Sequence, residues 1–144
     1  MSVKRLFAAR QYSTFGDAAL MVLRVVVGLA FMKHGWGKIQ HPFDWMGPGA
    51  FAPAPFQALA AVSEFGGGLC WMAGLFTPLA CLGIACVMVV ATWMHAVMRG
   101  DPFVTLEMGK LSYEPAAVYL CVAILLLALG PGSFSGDRVV FGRK

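Results

Sequence analysis

Four apolar stretches, at about residues 15–38, 55–76, 78–98 and 114–130, dominate this chain. Each approaches the roughly 20 residues of helix needed to cross a hydrocarbon core about 30 Å thick. Lipid offers no hydrogen-bond partners, so a segment of this kind must satisfy its backbone internally, as a helix does. Proline and glycine punctuate the boundaries: HPFDWMGPGAFAPAP follows the first stretch, GLFTP the second, RGDPF the third and GPG the fourth. Pro55, Pro78 and Pro115 open the later stretches, where a helix tolerates proline because its first N–H groups have no intrahelical partner. The FTP connection is too short for anything but an antiparallel hairpin. The expected fold is an all-α integral membrane protein, a single domain over residues 1–144 forming an antiparallel four-helix transmembrane bundle.

Composition agrees. Hydrophobic residues make up 59% of the 144 and charged residues 12%, whereas a soluble domain carries about 25% charged residues. The net charge of +4 is not gathered into a nucleic-acid patch. Lys4, Arg5 and Arg10 precede the first stretch, and Arg138, Arg143 and Lys144 follow the last. Basic residues beside membrane spans read as topology and headgroup contact. The bilayer is therefore the expected partner, with both termini on the cytoplasmic side. The first apolar run is too long for the core of a signal peptide, so it reads as a retained span. Cys70, Cys81, Cys86 and Cys121 show neither CxxC nor zinc-ligand spacing and read as small hydrophobes.

Ionisable residues inside the spans are the functional candidates, because a charge in the membrane is costly unless partnered. Arg24 lies roughly 14 Å into the first helix and Glu64 roughly 14 Å into the second from the opposite side. That arithmetic makes Glu64 the expected partner of Arg24. His34, Lys38, His95 and Glu114 fall near the outer ends of three helices, so the ionisable groups gather in the outer half of the bundle. Arg24, Gly28, Phe31, Gly35 and Lys38 share one helical face. Gly66 to Gly68 follow Glu64 and allow close helix approach or a flat ligand. Trp36, Trp71 and Trp93 are expected to help line an apolar wall.

At these residues the chain resembles the DoxX family of small bacterial four-helix membrane proteins. The resemblance rests on LRVVVGLAFMKHGWGK, AAVSEFGGGLCWMAGLFTPLA, MHAVMRG and YEPAAVYLCVAILLLALGPGSFSGD, which together span most of Leu23 to Asp137. It implies a multi-pass protein of the bacterial plasma (inner) membrane. It also implies an association with quinone-linked redox chemistry, since the family takes its name from a small subunit associated with a thiosulfate:quinone oxidoreductase or a terminal quinol oxidase.

The resulting expectation is a redox-associated membrane subunit that binds a quinone-like headgroup. Its ligand-binding residues would be Arg24, His34, Lys38, Glu64, His95 and Glu114. A quinone carbonyl needs donors, and His34 and His95 can donate and exchange protons near neutral pH. No Rossmann, CxxC or iron–sulfur pattern is present, so electron transfer would require a redox partner subunit, and no catalytic residue is assigned. A haem held by His34 and His95 would be crowded by Lys38 and Arg24, and a metal held by His34, His95 and Glu114 is a further alternative. The competing class is a non-enzymatic accessory or assembly subunit in which the arginine, glutamate and histidines are structural glue.

Overall fold

The computed structural model describes residues 6–143, and among them the regular structure is helical, with one isolated bridge between Ala9 and Arg143. Helix α1 covers Thr14–Gln40 and begins where the Ser13 hydroxyl accepts the Gly16 N–H at 3.1 Å, satisfying an otherwise unpaired helix-start donor. Helix α2, Ala54–Ala73, ends at Gly74, which is left-handed at φ 63° and returns its N–H to the last turn. Glycine meets that conformation without a side-chain clash. Helix α3, Thr77–Trp93, widens into a π turn over Met94–Met98. Helix α4 covers Glu114–Leu129 and the short α5 covers Gly136–Phe141. Proline occupies the first turn of α2, α3 and α4.

Helix α1 and the continuous Thr77–Met98 segment are each long and apolar enough to cross a membrane, while α4 is a shorter apolar helix. Helix α2 is diluted by Gln57, Ser63, Glu64 and its glycines. The four helices also turn large apolar side chains outward, among them Val26, Leu59, Leu79 and Leu125. Water would penalise such a surface, whereas hydrocarbon does not. Inside, Val27 and Phe31 of α1 meet Trp71, Ile84 and Leu126 of the other three helices in one core.

The seam between α1 and α2 is a backbone contact. A Cβ at Gly28 would sit 2.7 Å from the Gly68 carbonyl oxygen, and one at Gly68 would sit 2.7 Å from the Gly28 oxygen. Further along, a Cβ at Gly35 would fall 2.5 Å from the Phe65 nitrogen. Contacts climb α1 as they descend α2, so the two helices run antiparallel.

This geometry sets opposite signs for two similar substitutions. Gly28→Ala forces the seam apart and should cost about 1–3 kcal/mol, the usual range for overpacking. Gly37→Ala meets nothing within 4 Å, so it should stabilise by up to about 1 kcal/mol through helix propensity. Thermal unfolding of the two variants in detergent, followed by size-exclusion fluorescence, reads the difference. Equal effects would contradict the seam.

Candidate functional site

Arg24 is fully buried, yet it is not the partner of Glu64. Its guanidinium donates to the Trp71 carbonyl at 3.0 Å and to the Phe134 carbonyl at 2.5 Å. The expected Arg24–Glu64 pair fails because the two helices are staggered. Ten residues of α2 precede Glu64, but only two of α1 follow Lys38, which pairs with it. Helix α2 therefore starts about 12 Å beyond the end of α1. Counting depth from the two helix starts placed Arg24 and Glu64 at one level. The real register sets Arg24 beside Trp71, about 10 Å along α2 from Glu64.

Around Arg24 the chain builds a closed polar knot. Asp137 is fully buried, and its carboxylate accepts the Phe76 N–H at 2.7 Å and the Thr77 N–H at 3.0 Å. It thereby caps α3 and places a negative charge at the positive end of that helix. The same charge acts on Arg24. Phe76 itself is held left-handed at φ 51°, a conformation that costs a bulky residue free energy and is held here by surrounding bonds. The guanidinium occupies the space a side chain at Gly74 would need. Asp17, also buried, accepts the Ser133 N–H at 2.8 Å. These bonds tie the loop after α4 to α1 and to the α2–α3 turn.

The other polar group lies at the far end of the same helices. Lys38 donates to Glu64 Oε1 at 2.6 Å, with the Glu64 side chain 3% exposed. The Lys38 ammonium also sits 4.4 Å from the centroid of the Trp45 ring, a favourable cation–π position. Trp45 donates its indole N–H to the Gln57 carbonyl at 2.9 Å. The buried Gln57 side chain in turn accepts from the Met46 N–H and donates to the Ala52 carbonyl. The long connection from α1 to α2 is thus stitched onto α2 over the ion pair.

Beside this pair is a cavity of about 840 Å³ with mainly apolar walls. Its charged and imidazole side chains are His34 and Lys38 from α1, Glu64 from α2 and His95 from the π turn after α3. Phe31 and Tyr119, with ring centroids 5.0 Å apart, form part of the apolar lining. His95 Nδ1 lies 2.6 Å from Asp101 Oδ2, which also meets Arg99 at 3.2 Å. The π turn gives His95 this station, as such bulges often do at functional sites. A cavity of this size, mainly apolar with a few convergent polar groups, suits a small organic ligand.

The structure therefore brings together His34, Lys38, Glu64 and His95, and it removes Arg24 to the knot. Glu114 does not line the cavity, although its neighbour Pro115 does; its N–H donates to the Phe103 carbonyl at 3.1 Å. Among the described residues no three His, Cys, Asp or Glu side chains converge as a metal site, so His34, His95 and Glu114 do not form the alternative considered above. The expected tryptophan wall is also corrected. Trp71 packs on Phe31 in the core, and Trp36 and Trp93 are about half exposed on the outer surface. Trp45 is the tryptophan at the cavity. Sequence reasoning missed Trp45, Gln57, Asp101 and Asp137. Only Asp137 carried a local signal, a serine two residues earlier that caps α5.

A family model named DoxX matches residues 19–96, the stretch that holds Arg24, His34, Lys38, Glu64 and His95. Inner membrane protein YqjF of Escherichia coli (strain K12) is 30% identical over 132 residues, covering 86% of this chain and 93% of that protein. Uncharacterized membrane protein Rv3486 of Mycobacterium tuberculosis is 32% identical over 136 residues, covering 85% of this chain and 82% of that protein. No solved structure matches the chain.

The division into knot and cavity is testable by double-mutant cycles. Lys38→Met leaves Glu64 buried without its cation and should cost about 3–5 kcal/mol, while Lys38→Met with Glu64→Leu should recover most of that loss. Arg24→Leu should gain nothing from the added Glu64→Leu. Unfolding midpoints in detergent decide the matter, and strong coupling between Arg24 and Glu64 would contradict this arrangement.

Proposed function

The chain belongs to the DoxX family of membrane proteins, and we propose that it binds a quinone-like headgroup as a subunit of a quinone-linked redox system. In this reading α1 to α4 form an antiparallel four-helix transmembrane bundle with both termini cytoplasmic. The cavity then faces the outer half of the membrane, where a headgroup carried in the bilayer can reach it. The observation that supports the reading best is the lining itself: His34, Lys38, Glu64 and His95 come from three elements to one mainly apolar cavity. The apolar wall accepts a ring, and the imidazoles offer donors or acceptors according to tautomer. The sequence carries no electron-carrier motif, so the redox equivalents would belong to a partner subunit. The Arg24 knot favours a structural role for that half of the bundle, as an accessory-subunit reading would have it.

A short-chain quinone analogue titrated into the purified protein in lipid nanodiscs tests the proposal by calorimetry. His34→Ala and His95→Ala should each weaken binding by up to about tenfold, with the unfolding midpoint little changed. Absence of binding by the parent protein, or unchanged affinity in both variants, would overturn the reading.

A further inference from the structure

Five buried side-chain polar atoms find no hydrogen-bond partner among the described residues: Arg24 Nε, Glu64 Oε2, Trp71 Nε1, Thr77 Oγ1 and Thr92 Oγ1. Glu64 is the one of these five residues that lines the cavity. Its other oxygen is engaged by Lys38, and the side chain is 3% exposed. A buried carboxylate oxygen without a donor is costly, and a donor brought to it gains more than an ordinary hydrogen bond. Carboxylate oxygens accept and do not donate. A fully oxidised quinone, whose head offers carbonyl acceptors, meets this atom with the wrong polarity.

Lys38 completes the pattern. Its ammonium carries three N–H donors; one reaches Glu64, and the ammonium lies over the Trp45 ring. A hydroxyl group matches both neighbours, because its oxygen can accept from Lys38 while its proton goes to Glu64 Oε2. Resting on the ligand-binding role proposed above, we infer that the head this cavity selects bears a hydroxyl, as a hydroquinone or phenol does. The hydroxyl docks between Lys38 and Glu64, with the ring against the apolar wall that includes Phe31 and Tyr119. If the ligand is a redox couple, the cavity binds its reduced member more tightly than its oxidised member.

A redox-inert pair isolates the donor. Para-heptylphenol and its methyl ether share a shape, but only the phenol donates a hydrogen bond. In nanodiscs, with partitioning into protein-free discs subtracted, the parent protein should bind the phenol about tenfold or more tighter than the ether. Glu64→Gln should erase or invert that ratio. Lys38 demands the amide oxygen, which turns the amide N–H₂ donors toward the cavity. Equal affinity for the two probes in the parent would overturn the inference while leaving the cavity's ligand role standing. Binding of the short-chain quinone analogue but of neither probe would overturn it in the same way. Failure of all three to bind would remove the proposed function and this inference with it. Should Glu64→Gln not fold, the ratio in the parent decides alone.

Discussion

The glycine seam between α1 and α2 governs the rest of this molecule. With no side chains at Gly28, Gly35 and Gly68, the two backbones reach contact, and contact at that distance admits one register. Register then decides which charges meet. It carries Lys38 to Glu64 and Arg24 to the Trp71 carbonyl. A slide by one helical turn, about 5.4 Å, would separate both partnerships and leave buried polar groups without compensation. Packing and electrostatics thus specify the same alignment.

The consequence is a division of labour along the paired helices α1 and α2. At one end, Arg24, Asp137 and Asp17 consume their hydrogen-bonding capacity largely on backbone groups of loops and helix starts. Such groups hold connections in place, and the atoms left unpaired at this end, Arg24 Nε, Trp71 Nε1 and Thr77 Oγ1, belong to residues that do not line the cavity. At the other end, an ion pair, two histidines and an indole border a cavity whose remaining surface is mainly apolar. There the unpaired atom borders open space: Glu64 keeps a free carboxylate oxygen at the cavity, and His34 makes an edge contact with Tyr119 at 6.3 Å between centroids. The ligand site proposed above lies at that end.

How far this could be read in the sequence depended on the range of the interaction concerned. Helix starts were legible because Pro55, Pro78 and Pro115 act locally, and helix ends because Gly74 and Gly130 do. The membrane character was legible from apolar length; of the six residues that helix polarity gathered in one half, His34, Lys38, Glu64 and His95 line the cavity, and Arg24 and Glu114 do not. Partner identity was not, since it turns on a stagger of about 12 Å between α1 and α2. That stagger arises from backbone contact at glycines that could equally have left room for a ligand. Trp45 and Asp101 were hidden for another reason: both sit in connections rich in proline and glycine, where no periodicity reports direction. Asp137 acts on the α2–α3 turn from the far end of the chain, a pairing no local pattern encodes.

The central claim is that Lys38, and not Arg24, holds Glu64. Solid-state NMR on the protein in lipid bilayers measures this directly, through dipolar dephasing between the Glu64 carboxylate carbon and side-chain nitrogens, with Lys38→Met and Arg24→Leu samples assigning the signals. Strong dephasing of Glu64 by the Lys38 ammonium nitrogen, lost in Lys38→Met and untouched in Arg24→Leu, is the predicted result. Dephasing by the Arg24 guanidinium, with none from Lys38, would contradict the register and the cavity built on it.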